Sequence, residues 1–503
     1  MSSVSGWLND AWEAIAGATA GGDWRKLVPL GIAGLLVWSL WLYRVILSRL
    51  DRPVVNGFRT TVSVVVPSYR EDPEILMRCL ESWLAQDPTE VIIVVDIADE
   101  DAHRRLAEVT DPRLQVLIYE HQGKRSALGV GIRAAKSELV VVADSDTWWR
   151  PGLLDAVQMP FEDPEVGGVG TQQNVYQRTT SVWRRIADWL VNLRYYDYVP
   201  AMGSKGGVAC LSGRTAAYRR SVILPVLEHL ENEFFLGRRC IAGDDGRLTW
   251  LVLSQGYKTV HQSSARAVSM FPDSFRAFFK QRIRWSRNSY RCYLTALWKG
   301  WLWKTPFVTK VTVLQILLTP VTMGVTLGYL IFSRILGNLT PLGVGLAIGW
   351  VLLGRGIRGW SHLKRHPGEI LLLPLTTLVV IMISLPIKLY AFVTMNKQGW
   401  LTRSADQIGG AGQTASSLQG MGVPASRPAP AASHVAGPPA NAPGRAHAPV
   451  PGPAPVHGPG PRPARGAAHV PGPPMYGTGA HGVHQNHGTG PAPSGAPHGT
   501  SHG

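Results

Sequence analysis

The residues best suited to chemistry fall into four short groups in a fixed order: Asp96, Asp144 with Asp146, Asp244 with Asp245, and Gln281, Arg284 and Trp285. Asp144 and Asp146 flank one serine behind an unbroken apolar run, LVVVA. Two carboxylates at that spacing form an oxygen clamp for Mg²⁺ or Mn²⁺, which commonly share one or two carboxylates with substrate phosphates. An Asp-x-Asp also arises by chance, so its place after a buried strand carries the reading. Asp244 and Asp245 stand between Gly243 and Gly246, before RLTWLVLSQG. Adjacent acids there are often only a helix cap and first turn favoured by the dipole. A carboxylate in that position can also take a proton from an attacking hydroxyl, and only one of two neighbours can face the acceptor. In Gln281-Arg-Ile-Arg284-Trp285 the named residues fall at i, i+3 and i+4, on one helical face. An indole offers a flat platform to a sugar ring and a guanidinium grips phosphate bidentately. The plainer alternative is an interfacial tryptophan of a membrane belt. Lys124 and Arg125 open a helix after Gly123, either as a seat for a nucleotide's charge or as solvated cations.

These groups need elements to hold them. Residues 61–67, 91–96, 114–119 and 139–144 are short β-branched runs, and helix-length polar stretches at 73–85 and 124–136 lie between them. Strands apolar on both faces and alternating with helices predict a doubly covered, mostly parallel α/β sheet. Ligands bind such sheets beyond the strands' carboxyl ends, where Asp96 and Asp144 both stand.

Around this α/β domain, expected over 51–270, lie membrane-length apolar runs. Residues 27–47 are long enough to cross a bilayer, after an N-terminal segment, 1–26, that can form an interfacial helix. Asp10, Glu13 and Asp23 precede this run, and Arg44, Arg49 and Arg52 crowd its other end. That asymmetry places the N-terminus outside and the catalytic domain in the cytoplasm. Residues 271–305, rich in aromatic and basic side chains, read as amphipathic helix in the membrane interface or packed on the soluble domain. Further candidate spans are 308–332, 339–354 and 370–393. The last contains Pro374 and Pro386, and Lys388, Lys397 and Arg403 favour a cytoplasmic end, so it is expected not to cross fully. Residues 404–503 lack lysine, carry no acid beyond Asp406 and cannot bury a core, so a disordered tail is expected.

The chain has 503 residues and a net charge of +16. Its cations cluster beside apolar runs, as expected for flanks drawn to anionic lipid, and no zinc-ligand spacing or stacking motif points to nucleic acid. Four scattered cysteines without a CxxC fit reduced thiols rather than a disulfide framework.

With these residues in place, the chain resembles the processive family 2 glycosyltransferases, including hyaluronan, chitin-oligosaccharide, chitin and, more distantly, cellulose synthases. The likeness covers roughly residues 25–403 and implies a GT-A-like domain embedded between transmembrane helices. It implies Tyr69, Glu71, Asp96, Lys124 and Asp144 as nucleotide contacts and Asp144 and Asp146 as the metal pair. Asp245 matches the base and Asp244 the acid before it. Cys210, Ser212 and Gly213 resemble the wall receiving the acceptor, with Gln281, Arg284 and Trp285 at the channel entrance. Trp400, Thr402 and Arg403 resemble a loop beside the site. Two departures leave the donor open: Gly246 stands where relatives usually have arginine, and VVDIADED replaces the usual loop after the second strand. The resemblance implies a multi-pass plasma-membrane enzyme polymerising UDP-sugars onto a growing polysaccharide. A single-addition transferase acting on a lipid or polyprenyl phosphate, and an inactive membrane scaffold, are the rival readings.

Overall fold

The computed structural model describes residues 24–120, 122–335 and 341–397. Helix α1 (Trp24–Leu50) precedes the α/β domain. There β1 (Val62–Ser68), α2 (Pro73–Leu84), β2 (Glu90–Asp96), α3 (Glu100–Ala107), β3 (Leu114–Tyr119), α4 (Lys124–Ala134) and β4 (Leu139–Ala143) alternate as the sequence predicts. Two of these helix starts have a clear local cause. Asp72 caps α2 by accepting from Glu74 N and Ile75 N, with Pro73 in the first turn. Asp99 caps α3 by accepting from Ala102 N.

Four further strands complete one sheet: β5 (Thr147–Trp149), β6 (Val166–Val175), β7 (Thr215–Arg219) and β8 (Lys258–Ser269). The order is β3-β2-β1-β4-β7-β6-β8-β5. Strands β1 to β4 pair in parallel, as do β6 and β8. Strand β7 runs antiparallel between β4 and β6, and β5 antiparallel to β8. The sheet is therefore mixed, with its parallel half where the apolar runs are strongest. Successive side chains of a strand point to opposite faces, so Val64 and Val66 join Trp83 and Ile93 in one core layer while Val65 joins Ile92 and Leu128 in the other. Burying each such side chain contributes about 1.5–3 kcal/mol.

Helix α5 (Val182–Leu193), capped by Ser181, lies between β6 and β7. Helix α6 (Asp244–Ser254) follows Gly243, whose φ of 77° requires the left-handed region that glycine enters without steric cost. Helix α7 (Phe275–Trp298), capped by Ser274, carries Gln281, Arg284 and Trp285. Then come α8 (Phe307–Ile335) and α9 (Pro341–Arg358). The last apolar segment is broken: a 3₁₀ turn at Pro367–Leu372, a short helix, a π-turn at Val379–Ile383, and α10 (Ser384–Val393). Among the described residues, Phe307–Val325 and Pro367–Val393 are long and apolar enough to cross a membrane. The expected N-terminal interfacial helix and the tail at 404–503 lie outside the described residues.

Candidate active site

Register brings the carboxyl ends of β1, β2 and β4 to one edge, since Ser68 is level with Val95 and Val65 with Val142. Tyr69, Asp96 and Asp144 therefore emerge side by side. Asp96 is buried and its Oδ1 accepts from Ala98 N at 3.0 Å, fixing the turn after β2. Arg70 lies over the Tyr69 ring at 5.5 Å, and its N–H donates to Asp99 Oδ2 at 2.8 Å. Glu71, also buried, accepts from Ser145 Oγ at 2.8 Å, so the loop after β1 is tied to the loop bearing Asp144 and Asp146. A cleft of about 370 Å³ opens here, lined by Arg70, Glu71, Ala98 and Asp99 among others. Asp99 was not singled out from sequence. Its place three residues before Ala102 at a helix start was the available signal.

The Lys124 ammonium lies 2.7 Å from Asp144 Oδ1 and 3.0 Å from Asp244 Oδ2. One cation thus joins the strand-end acids to those at the start of α6. Burial alone would lower the Lys124 pKa, but Asp144 and Asp244 outweigh it and hold the group above its ordinary value. Arg125 departs from the expected pairing with Lys124. It turns into the domain, where its Nη1 meets Glu233 Oε2 at 2.6 Å and its Nη2 donates to Gly243 O at 3.0 Å. Glu233 also pairs with Arg247 at 3.1 Å. This buried Arg–Glu–Arg group holds the turn that presents Asp244 and Asp245.

Asp244 is engaged by Lys124, while Asp245 is directed to the other side. Its Oδ1 accepts from Gly246 N at 2.7 Å and its Oδ2 from the Cys210 thiol at 3.7 Å. Burial, then repulsion from Asp244, raises the Asp245 pKa above the ordinary carboxylate range, with Lys124 opposing. Burial and the Asp245 charge push the Cys210 thiol up to about 12, so it stays a donor. Ser212 accepts from Arg214 N at 3.4 Å. A Cβ on Gly213 would stand 3.2 Å from Asp244 Oδ2, 3.3 Å from Asp245 Cβ and 3.4 Å from Lys124 Nζ, so residue 213 packs closely beside all three.

Burial, followed by repulsion from Asp144, raises Asp146 to about 6, with Arg214 opposing. Two crowded carboxylates whose repulsion is only partly offset are a donor set that suits a divalent cation. A second cluster, Asp188, His362 and His366, also brings possible ligand atoms within 4.8 Å of one another. Arg178 already fills it, with Nη1 2.5 Å from Glu369 and 3.7 Å from Asp188, and Nη2 2.9 Å from His366 Nδ1. That network fastens α5 to residues 362–369 and is a structural lock rather than a metal seat.

Gln281 is buried on α7, and Trp285 packs edge-on to Phe271 at 6.2 Å. Arg214 lies over both rings, 3.9 Å from the Phe271 centroid and 5.1 Å from that of Trp285. Arg284 is close enough to Arg214 to lower its pKa, behind the larger effect of burial. Hence Tyr69, Glu71, Asp96, Lys124, Asp144, Asp146, Cys210, Ser212, Gly213, Asp244, Asp245, Gln281, Arg284 and Trp285 belong to adjoining walls of one region. Trp400, Thr402 and Arg403 lie outside the described residues. The chain shortly before them is held on α7, where Arg287 donates to Thr394 Oγ1 at 2.8 Å and Arg291 to Met395 O at 2.5 Å.

Residues 59–288 match the family described as glycosyltransferase like family 2. An N-acetylglucosaminyltransferase of Sinorhizobium fredii is 29% identical over 364 residues, covering 70% of this chain and 86% of the relative. A hyaluronan synthase of Streptococcus pyogenes is 28% identical over 386 residues, 74% of this chain and 91% of the relative. Among solved structures, a mannosyltransferase from Pyrobaculum calidifontis in complex with GDP-Man and Mn²⁺ aligns with a TM-score of 0.49 at 22% identity, over 71% of this chain and 98% of its own.

Proposed function

We propose that this family 2 glycosyltransferase is a membrane-embedded, inverting and processive enzyme that polymerises UDP-sugars into a β-linked, hyaluronan- or chitin-like polysaccharide. The observation that carries the reading is the Lys124 ammonium shared by Asp144 and Asp244, because it sets the diphosphate end and the base end of a transfer reaction one side chain apart. The cleft by Glu71 and Asp99 suits a nucleoside, and the name of the N-acetylglucosaminyltransferase relative supports an N-acetylamino sugar as the group transferred.

Asp144 and Asp146 would hold Mg²⁺ or Mn²⁺. Bound there, the cation would neutralise the diphosphate and stabilise departing UDP. Asp245 removes the proton from the acceptor hydroxyl, whose oxygen attacks the anomeric carbon as the bond to diphosphate breaks. A single in-line displacement inverts that centre. Trp285 supplies a platform for the acceptor sugar, with Gln281 beside it on the same helix. Successive additions need the product to stay seated between steps.

Membranes carrying the full chain, given UDP-GlcNAc alone or with UDP-glucuronate and Mn²⁺, are expected to release UDP and form a polymer resolved as a high-mass smear on a gel. EDTA should abolish both. A single-sugar product would overturn processivity, and undiminished UDP release in EDTA would overturn the metal assignment.

The same reading gives the membrane region three crossings, α1, α8 and α9, followed by a segment that stays on the cytoplasmic side. Its first part is anchored by Glu369 to Arg178 and Arg185 of the catalytic domain. Its end is anchored to Arg287 and Arg291 of α7, and Tyr390 lies under Arg287 at 5.3 Å. A helix as rich in arginine as α7 belongs at the interface, and α10 packs along it. A cysteine placed at Ser426 should react with a membrane-impermeant maleimide only after cells are permeabilised. Labelling of intact cells would refute this topology.

A further inference from the structure

Arg214 was not marked by any motif, yet its position is tightly defined. Its carbonyl accepts from Asp144 N at 3.2 Å, and it immediately precedes β7, whose Thr215 is paired with Ala143. The backbone therefore runs directly beside the metal pair, with Gly213 against Asp244 and Asp245 on its other side. The guanidinium reaches across to Phe271 and Trp285, with centroid distances of 3.9 and 5.1 Å. A guanidinium packed by its face on one ring, as the 3.9 Å approach to Phe271 allows, keeps its N–H donors in the plane. Burial lowers its pKa below the ordinary value, with the charges of Asp146 and then Asp144 opposing. Lys124, by comparison, is already shared between two carboxylates.

We propose that Arg214 is a leaving-group residue: held against Phe271 and Trp285, its guanidinium donates to the diphosphate seated at Asp144 and Asp146. This assignment rests on the nucleotide-sugar reading above. It makes the charge on departing UDP a shared load: a fixed protein cation meets it from the aromatic side, and the divalent cation that Asp144 and Asp146 would hold would meet it from the carboxylate side. Because the arginine also lies over Trp285, it connects the acceptor platform with the leaving group. An acceptor sugar settling on the indole would press on the group that stabilises UDP.

The test uses the full chain in membranes, with Arg214→Ala and Arg214→Lys, UDP-GlcNAc as donor and saturating Mn²⁺. Loss of a preorganised donor to developing charge typically costs roughly 10²–10³ in rate. Arg214→Ala should lower kcat for UDP release about 100-fold. Its inhibition constant for UDP should rise about 10-fold, as for one lost charge-assisted contact, while that for uridine stays unchanged. Millimolar guanidinium chloride should restore part of the alanine variant's rate and leave the wild type unaffected. Lysine keeps charge but not the planar fork, so Arg214→Lys should fall between wild type and alanine.

Unchanged uridine inhibition also reports that the pocket has folded. Should Arg214→Ala lose it, Arg214→Lys is judged by the same ratio of UDP to uridine inhibition. A rate within threefold of wild type, or equal weakening of UDP and uridine, would overturn the assignment. If the wild type releases UDP while Arg214→Ala does so equally well, only the Arg214 role falls. A wild type releasing no UDP from any UDP-sugar would overturn the functional reading and this role with it.

Discussion

Asp245→Asn should abolish polymer formation while leaving UDP binding nearly intact. The substitution keeps the shape of the side chain, and its amide oxygen can still accept from Gly246 N. It removes the lone pair that takes the acceptor proton, a contribution worth roughly 10²–10⁴ in rate. The two acids of this pair are not equivalent. Asp244 is held by Lys124 at 3.0 Å, whereas Asp245 meets only a backbone N–H and a thiol on its two oxygens among the contacts described above. Burial and Asp244 raise its pKa, and that sets the sign of the pH response. The carboxylate is the active form, so synthesis should fall as pH drops through a value above the ordinary carboxylate range. At saturating Mn²⁺ this acid limb should report chiefly Asp245. Initial rates of UDP release from pH 5 to 8, with UDP affinity measured in parallel, give both quantities. Retained polymer synthesis in Asp245→Asn would remove Asp245 as the base.

What the sequence made legible follows from how strongly each feature is encoded. Strands β1, β2 and β4 are buried on both faces, so most of their residues are β-branched or aliphatic, and the pattern is unmistakable. Asp96 and Asp144 could be placed because a strand's carboxyl end is fixed by where its apolar run stops. Strands β5 and β7 left no such trace. Three and five residues long, they show no period, and only the finished sheet reveals that β7 runs against its neighbours. Long-range pairing was equally opaque. Arg125 and Glu233 lie 108 positions apart, and nothing in the polar stretch around Glu233 marks it as a buried partner. Arg214 was overlooked for the converse reason: basic residues are numerous here, and only its approach to Phe271 and Asp144 distinguishes it.

Lys124→Met should damage both stability and transfer, and the two losses can be separated. Methionine nearly matches the lysine stem but strands Asp144 and Asp244 without the cation between them. Removing one partner of a buried ion pair commonly costs about 3–5 kcal/mol, chiefly because a desolvated charge is left behind. The thermal midpoint in detergent should therefore fall by several degrees. Arginine should not substitute well, because its larger planar head must replace an ammonium seated between Asp144 at 2.7 Å and Asp244 at 3.0 Å. Adding Asp244→Asn removes one stranded charge, so the double variant should recover part of the midpoint. It should not recover UDP affinity if the ammonium also faces the diphosphate, because no cation returns to that wall. A double-mutant cycle on both readouts decides between a strut and a ligand. Coupled recovery of stability and affinity makes Lys124 purely a strut between acids. Recovery of stability alone makes it a nucleotide contact as well as a partner of Asp144 and Asp244. A single variant within twofold of wild type in rate and unchanged in midpoint would mean that the pocket is not organised around this cation at all.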